Sequence, residues 1–172
     1  MNKILLTIIA IIVIAITIYT ISNRPKTPQS TTSNTNTSIV NTPTYIDVEV
    51  KFAVQGRDIS GKAVFEFPNI ESCQANTMNE QSFIQKYKKE CTEDRGCKSI
   101  RLGTCSSYVD EKYLSMLNKE FKDTHYMYLY DTRNTKERGV IVFWGLNEQE
   151  AKELCKANHK MKIDKTTATE CL

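Results

Sequence analysis

Six cysteines and two histidines are the residues of this 172-residue chain whose types could do more than exchange protons. Cys155 and His159 stand four positions apart in EAKELCKANHK, so on a helix they share a face. At that spacing an imidazole can activate a thiolate, or two ligands can hold a metal. No further ligand accompanies them. C-x-x-C does not occur, and Cys91, Cys97 and Cys105 are separated by five and seven residues, unlike a zinc knuckle. A nucleophile elbow would need its reactive residue at the Gly145-Leu146-Asn147 turn, whereas the thiol arrives two helical turns later. G-x-G-x-x-G, G-K-[ST] and H-E-x-x-H are absent, and the acid pairs Glu93-Asp94 and Asp110-Glu111 fall at a turn and a helix start. The expectation is no catalytic residue, no metal and no cofactor; a thiol or metal enzyme is the least supported class.

The alternative use of a cysteine is a covalent staple, and the rest of the chain favours it. Ile4 to Ser22 carries no charge and is mostly Ile, Leu, Val and Ala. As a helix it would be about 28 Å long, close to the hydrocarbon thickness of a bilayer. Residues 1–22 therefore read as an N-terminal transmembrane anchor, or an uncleaved signal, with residues 4–22 in the membrane. Lys3 on one side and Arg24 and Lys26 on the other leave the positive-inside comparison nearly balanced. Orientation follows instead from Cys73, Cys91, Cys97, Cys105, Cys155 and Cys171, an even set confined to the far side of that segment. Such a set implies an oxidising compartment: a single-pass protein of the inner (cytoplasmic) membrane with its C-terminal domain in the periplasm or exterior. Three disulfides have 15 pairings in general. Cys155 to Cys171 is the favoured one, because it pins the chain's tail to its last helix. Cys73, Cys91, Cys97 and Cys105 would form the other two.

Residues 23–44, NRPKTPQSTTSNTNTSIVNTPT, are too polar to bury a core and read as a flexible Ser/Thr/Asn/Pro linker. Beyond them, residues 45–172 hold 20 Lys+Arg against 20 Asp+Glu, since Lys3, Arg24 and Lys26 are the only charges before residue 45. A neutral domain has no basic footprint, which excludes nucleic acid as a partner.

The elements that would position these cysteines can be read from periodicity. Ile46, Val48, Val50, Phe52 and Val54 alternate with polar or small residues, a half-buried strand. GRDISG reads as a turn, and Ala63, Phe65 and Phe67 as one face of the returning strand. Thr77 to Glu80, Ser107 to Asp110 and Asn147 to Glu150 each set a capping side chain three residues before an acid, a helix start. Phe83/Ile84/Tyr87, Tyr113/Leu114/Leu117/Phe121 and Ala151/Leu154/Cys155 then give each helix a core face. HYMYLY and GVIVFW, joined by the polar DTRNTKERG, form a hairpin; the second is apolar on both faces and so central. With Ser99 to Leu102 and a short strand before Cys171, the class is α+β: a mostly antiparallel sheet with three helices packed on one side, stapled by disulfides. VFEFPNIESCQAN (64–76) and VFWGLNEQEAKELCKAN (142–158) also share an order of strand, turn, Asn, Glu and Cys-x-Ala-Asn, as a duplicated unit would.

Within residues 98–172, the junctions SIRLGTCSS…EKYLSMLNKEF and GVIVFWGLNEQEAKELC resemble the SPOR domain, which alternates a strand, a Gly, a short turn and a helix with apolar core positions. Cys105 stands where the family's usual aromatic follows the Gly motif in one half. The resemblance implies a domain that binds peptidoglycan glycan strands stripped of peptide. Its ligand would lie across Ser99–Leu102, Tyr126–Tyr130 and Val140–Trp144, with Tyr126, Tyr128, Tyr130 and Trp144 stacking on sugar rings. The general expectation is a non-enzymatic binding or interaction domain of the bacterial envelope. Its partner would be an envelope protein or cell-wall glycan, and a phage or envelope regulator of lysis or assembly falls within the same class.

Overall fold

The computed structural model describes residues 42–54, 56–77, 96–134, 136–160 and 167–172. The apolar stretch 4–22, most of the tether, Cys91, Phe83, Ile84, Tyr87 and the Asn79–Glu80 half of the first capping motif lie outside them. Among the described residues no helix is long and apolar enough to cross a membrane.

The alternation at residues 46–54 forms β1 (Thr44–Val54), which pairs antiparallel with β2 (Arg57–Phe67) along the whole length of both. The turn is tighter than GRDISG suggested. Val54 already faces Arg57 across a connection in which Gly56 takes a φ of 76°, and Arg57–Ser60 is strand. β3 (Cys97–Leu102) lies on the other edge of β1. A second hairpin, β4 (Tyr126–Asp131) and β5 (Arg138–Trp144), joins β2 through β5, and β6 (Thr167–Cys171) closes the far edge against β4. The six strands run β3-β1-β2-β5-β4-β6, every pairing antiparallel, with β5 central as its two apolar faces require.

Three helices cover this sheet from both sides, not one. α1 (Ile70–Thr77) and α3 (Glu148–Lys160) lie on what we call the inner face, with Ile46, Val48, Val50, Phe52, Phe65, Met127, Leu129 and Ile141. α2 (Glu111–Leu117) lies on the outer face, where Met116 and Leu117 pack on Val64, Val140, Val142, Tyr126 and Tyr128. A strand as apolar as β5 needs cover on both of its surfaces, which is the physical reason for the split.

The helix start expected at Thr77 to Glu80, with Phe83, Ile84 and Tyr87 behind it, lies outside the described residues beyond Thr77. α1, which no capping motif signalled, begins at Ile70, with Asn69 Oδ1 accepting from Ser72 N at 2.8 Å as its cap. α2 is capped by Asp110, which accepts from Lys112 N at 2.9 Å; Ser107 is not the cap. Asp110 was read as the third residue of a capping box, yet a carboxylate at the cap position does the same work without a partner. The third motif forms in full. Glu150 N donates to Asn147 Oδ1 and Asn147 N donates to Glu150 Oε2, both at 2.9 Å. α2 ends in a Schellman motif, with Glu120 N on Ser115 O and Lys119 N on Met116 O, and Lys119 takes the left-handed position at φ 61° where glycine is usual.

The order β3-β1-β2 and its continuation β5-β4-β6 are mirror sequences of strands, because the described elements form the same ββαβ order twice. The units meet where Ala63 faces Ile141, and that row continues outward to Val48 and Met127. About this point the motif G-x-x-V-F repeats at residues 61–65 and 139–143. A Cβ on Gly61 would lie 2.7 Å from the Phe143 ring, and one on Gly139 2.5 Å from the Phe65 ring. Each phenylalanine therefore lies over the other unit's glycine. In both units an Asn-capped helix carries a buried cysteine: Cys73 bonds Cys105 just past β3, and Cys155 bonds Cys171 at the end of β6. The favoured Cys155–Cys171 pair is formed, and Cys97 is also disulfide-bonded. None of the cysteines among the described residues is free.

Candidate ligand face

Cys155 is joined to Cys171 and is not a free nucleophile; the side chain of His159 lies outside the described ones. No group of three or more His, Cys, Asp or Glu among the described residues could hold a metal. The four aromatics expected to stack on sugar separate by position. Tyr126 and Tyr128 are 3% and 7% exposed beneath α2, Tyr130 is half-buried with its ring 5.8 Å from that of Tyr128, and Trp144 is 39% exposed. Tyr126 and Tyr128 are core. Alternation put them on one face, but the sequence did not show that α2 would lie on that face.

The open part of the outer face belongs to the first unit. β1 presents Asp47, Glu49 and Lys51 there, paired across the ladders with β2 residues that include Ser60 and Lys62, and with Ser99 and Arg101 of β3. Lys62 Nζ lies 2.8 Å from Asp47 Oδ2 and 3.1 Å from Glu49 Oε1. Arg101 grips Glu49 through Nη2 at 3.0 Å and Nε at 3.2 Å, and reaches Asp47 at 3.6 Å. The Arg101 hydrogen bond holds the Glu49 carboxyl below the usual carboxylate range. Partial burial pulls the Lys62 ammonium down, but its bonds to Asp47 and Glu49 outweigh that and raise it above the ordinary lysine value. The four side chains neutralise one another.

Tyrosines border this network. Lys62 lies 5.2 Å over the Tyr113 ring, a cation–π contact, and burial pushes the Tyr113 hydroxyl above its ordinary value. Between β1, β2 and the segment leading into α2 is a hollow of about 240 Å³, lined by Tyr45, Asp47, Lys62, Tyr108 and Tyr113 among others. Tyr108 is 76% exposed at its mouth. The hollow is closed off because β3 bends past Leu102: Gly103 N donates to Asp47 O, and Tyr45 and Ser106 exchange two backbone hydrogen bonds at 2.7 and 2.9 Å. Of these residues, Asp47, Glu49 and Lys62 were legible as the polar side of a half-buried hairpin. Tyr108 and Tyr113 were not, since a tyrosine beside a helix start looks the same whether it packs or protrudes.

The arrangement offers hydrogen-bond donors and acceptors in fixed positions, with aromatic surface beside them and little uncompensated charge. Comparison with protein-family models, with curated proteins and with solved structures gives no match.

Proposed function

We propose that this chain is a single-pass protein of the bacterial cytoplasmic membrane whose residues 45–172 form a non-enzymatic binding domain outside the cytoplasm, contacting an envelope protein through the open half of the outer sheet face. The observation that carries the reading is the contrast on that face: half is sealed by α2, while the other half is a pre-paired polar platform on a domain stapled by Cys73–Cys105 and Cys155–Cys171. β1 keeps its polar side open, and because Asp47, Glu49, Lys62 and Arg101 are already paired with one another, a partner can meet fixed donors and acceptors there without burying an unpaired charge. Regulators of envelope assembly or lysis act through contacts of this kind. The test is site-specific photocrosslinking of the full chain in cells, with the reactive group at Lys51, Ser60 or Ser99 and a control at Gln149 on α3. Discrete adducts from the first three and none from the control support the reading; adducts equal at all four sites argue against it.

A second reading, a SPOR-like peptidoglycan glycan binder, draws on the exposed Trp144 and Tyr108, which could stack on sugar rings. It has less support from topology, since β1 and β2 separate β3 from β4, β5 and β6. Binding of the full chain in detergent to purified sacculi, increased by amidase pretreatment, would favour it over the protein-partner reading.

A further inference from the structure

The two disulfides differ in what surrounds them. Cys73 has no exposed surface and Cys105 is half-buried. Cys155 is 6% exposed, but its partner Cys171 is open to solvent at the end of an edge strand. Both Cys155 and Cys171 line a groove of about 440 Å³ on the inner face, between α3 and the sheet. Its floor is apolar, formed by Met127, Ile141 and Phe143, and Lys152, Lys156 and His125 stand at its rim. Lys152 pairs with Glu148, which also lies 3.6 Å from His125 Nε2; Lys156 is in no ion pair among the described residues.

We propose that this groove is a thiol–disulfide exchange site for an acidic, thiol-bearing partner. The attacking species in exchange is a thiolate, an anion, and the groove offers it Lys152 and Lys156 beside the disulfide whose Cys171 is an exposed residue. The partner's thiolate attacks Cys171 Sγ, the Cys155–Cys171 bond breaks, and the electron pair leaves on Cys155 Sγ, in the groove that Lys156 also lines. Cys155 then takes a proton from water, and the partner is held through a mixed disulfide to Cys171. A second thiol on the partner attacks its own bridged sulfur and releases Cys171 as a thiol. Two electrons and two protons have then passed from a dithiol to the domain, and an oxidised partner runs the same steps backward. β6 stays in place through the β4–β6 ladder, the paired hydrogen bonds between Tyr126 and Leu172, and the Lys119–Glu170 ion pair at 2.7 Å, and α3 through buried Leu154 and the Arg57–Glu150 ion pair at 2.6 Å. The site can therefore open without unfolding the sheet. This inference does not depend on which partner the outer face takes.

The experiment treats the full chain in detergent with glutathione, which is anionic, and separately with cysteamine, which is cationic. Differential alkylation and mass mapping follow each cysteine over time. Cys155 and Cys171 should label first while Cys73 and Cys105 stay closed. The double variant K152Q/K156Q should slow glutathione several-fold and leave cysteamine unchanged or faster. Because both lysines are exposed, that variant keeps its fold, and circular dichroism checks it. Equal opening of the two disulfides, Cys73–Cys105 opening first, or equal slowing by both thiols would overturn the proposal.

Discussion

Set the two ββαβ units side by side and their inner faces agree while their outer faces do not. On the inner face Val48 and Val50 correspond to Met127 and Leu129, all four buried. On the outer face Asp47, Glu49 and Lys51 occupy the positions that Tyr126, Tyr128 and Tyr130 hold in the second unit. The flanking strands follow suit. Arg101 of β3 answers to Glu170 of β6: Arg101 bonds Glu49 directly, whereas Glu170 bonds Lys119, whose ammonium lies 4.4 Å over the Tyr128 ring. One backbone arrangement thus carries either an exposed charge network or a tyrosine layer under a helix. Three side chains per strand decide which. The cover itself is anchored by Arg138, which donates to Leu117 O at 2.8 Å at the end of α2, to Asn118 Oδ1 at 3.2 Å and to Glu66 at 2.9 Å. A cation at a helix C-terminus is favourable for the helix dipole as well.

The comparison can be broken first at the staples. Converting Cys73 and Cys105 to Ala should cost about 3.7 kcal/mol and converting Cys155 and Cys171 about 3.1, from loops of 32 and 16 residues. Denaturant midpoints under non-reducing conditions would show the order, and a larger loss for the second pair would contradict the account. Next comes the cover: Leu117→Ala removes a side chain with no exposed surface and should cost about 3 kcal/mol, with no matching position in the first unit to lose. The crossing of the units is the third place. Gly139→Ala pushes a methyl into the Phe65 ring and should destabilise by roughly 1–3 kcal/mol, part of which Phe65→Leu in the same chain restores. A double-mutant cycle reads the coupling directly.

Smaller effects sharpen the picture. Tyr126 Oη is buried without a hydrogen-bond partner among the described residues, so Tyr126→Phe should be neutral or stabilising by about 1 kcal/mol, an unusual sign for a change in a core. The Glu49–Arg101 pair is partly exposed and screened by solvent, so its contribution to stability is small. Its sign with pH is fixed by the depressed Glu49 carboxyl: the contribution is complete above the unfolded glutamate value near ~4.3 and is lost as pH falls through the lower folded value. Acid unfolding of Arg101→Met should therefore match the parent once Glu49 is protonated, and differ from it only at higher pH.

Strand alternation, the central role of β5, the Asn147 cap and the Cys155–Cys171 pair were all legible in the sequence, because each rests on local spacing or on the chain's end. The α1 start was hidden by Pro68-Asn69, where a strand's exit and a helix's cap share residues. The side on which α2 packs was hidden for another reason: nothing local in EKYLSML says which surface of a two-faced sheet it will cover. The duplicated unit showed as a faint echo, and its strongest element, the reciprocal Gly–Phe contact, is visible only once β2 and β5 are paired. The same ambiguity governs the candidate face. Tyr126 and Tyr128 could by alternation either stack on a ligand or pack, and they pack; Tyr113 packs against the outer-face core as its helical spacing suggests, yet it also lines the hollow beside the open platform, as does Tyr108, which no pattern marked.

The most direct test is disulfide mapping of the chain taken from growing cells that were alkylated before lysis. The account predicts peptides joining Cys73 to Cys105 and Cys155 to Cys171, with Cys73 and Cys105 unreactive until a reductant is added. Recovery of Cys73 and Cys105 as alkylated thiols would contradict it, placing the domain in a reducing compartment and removing the basis for an extracytoplasmic binding role.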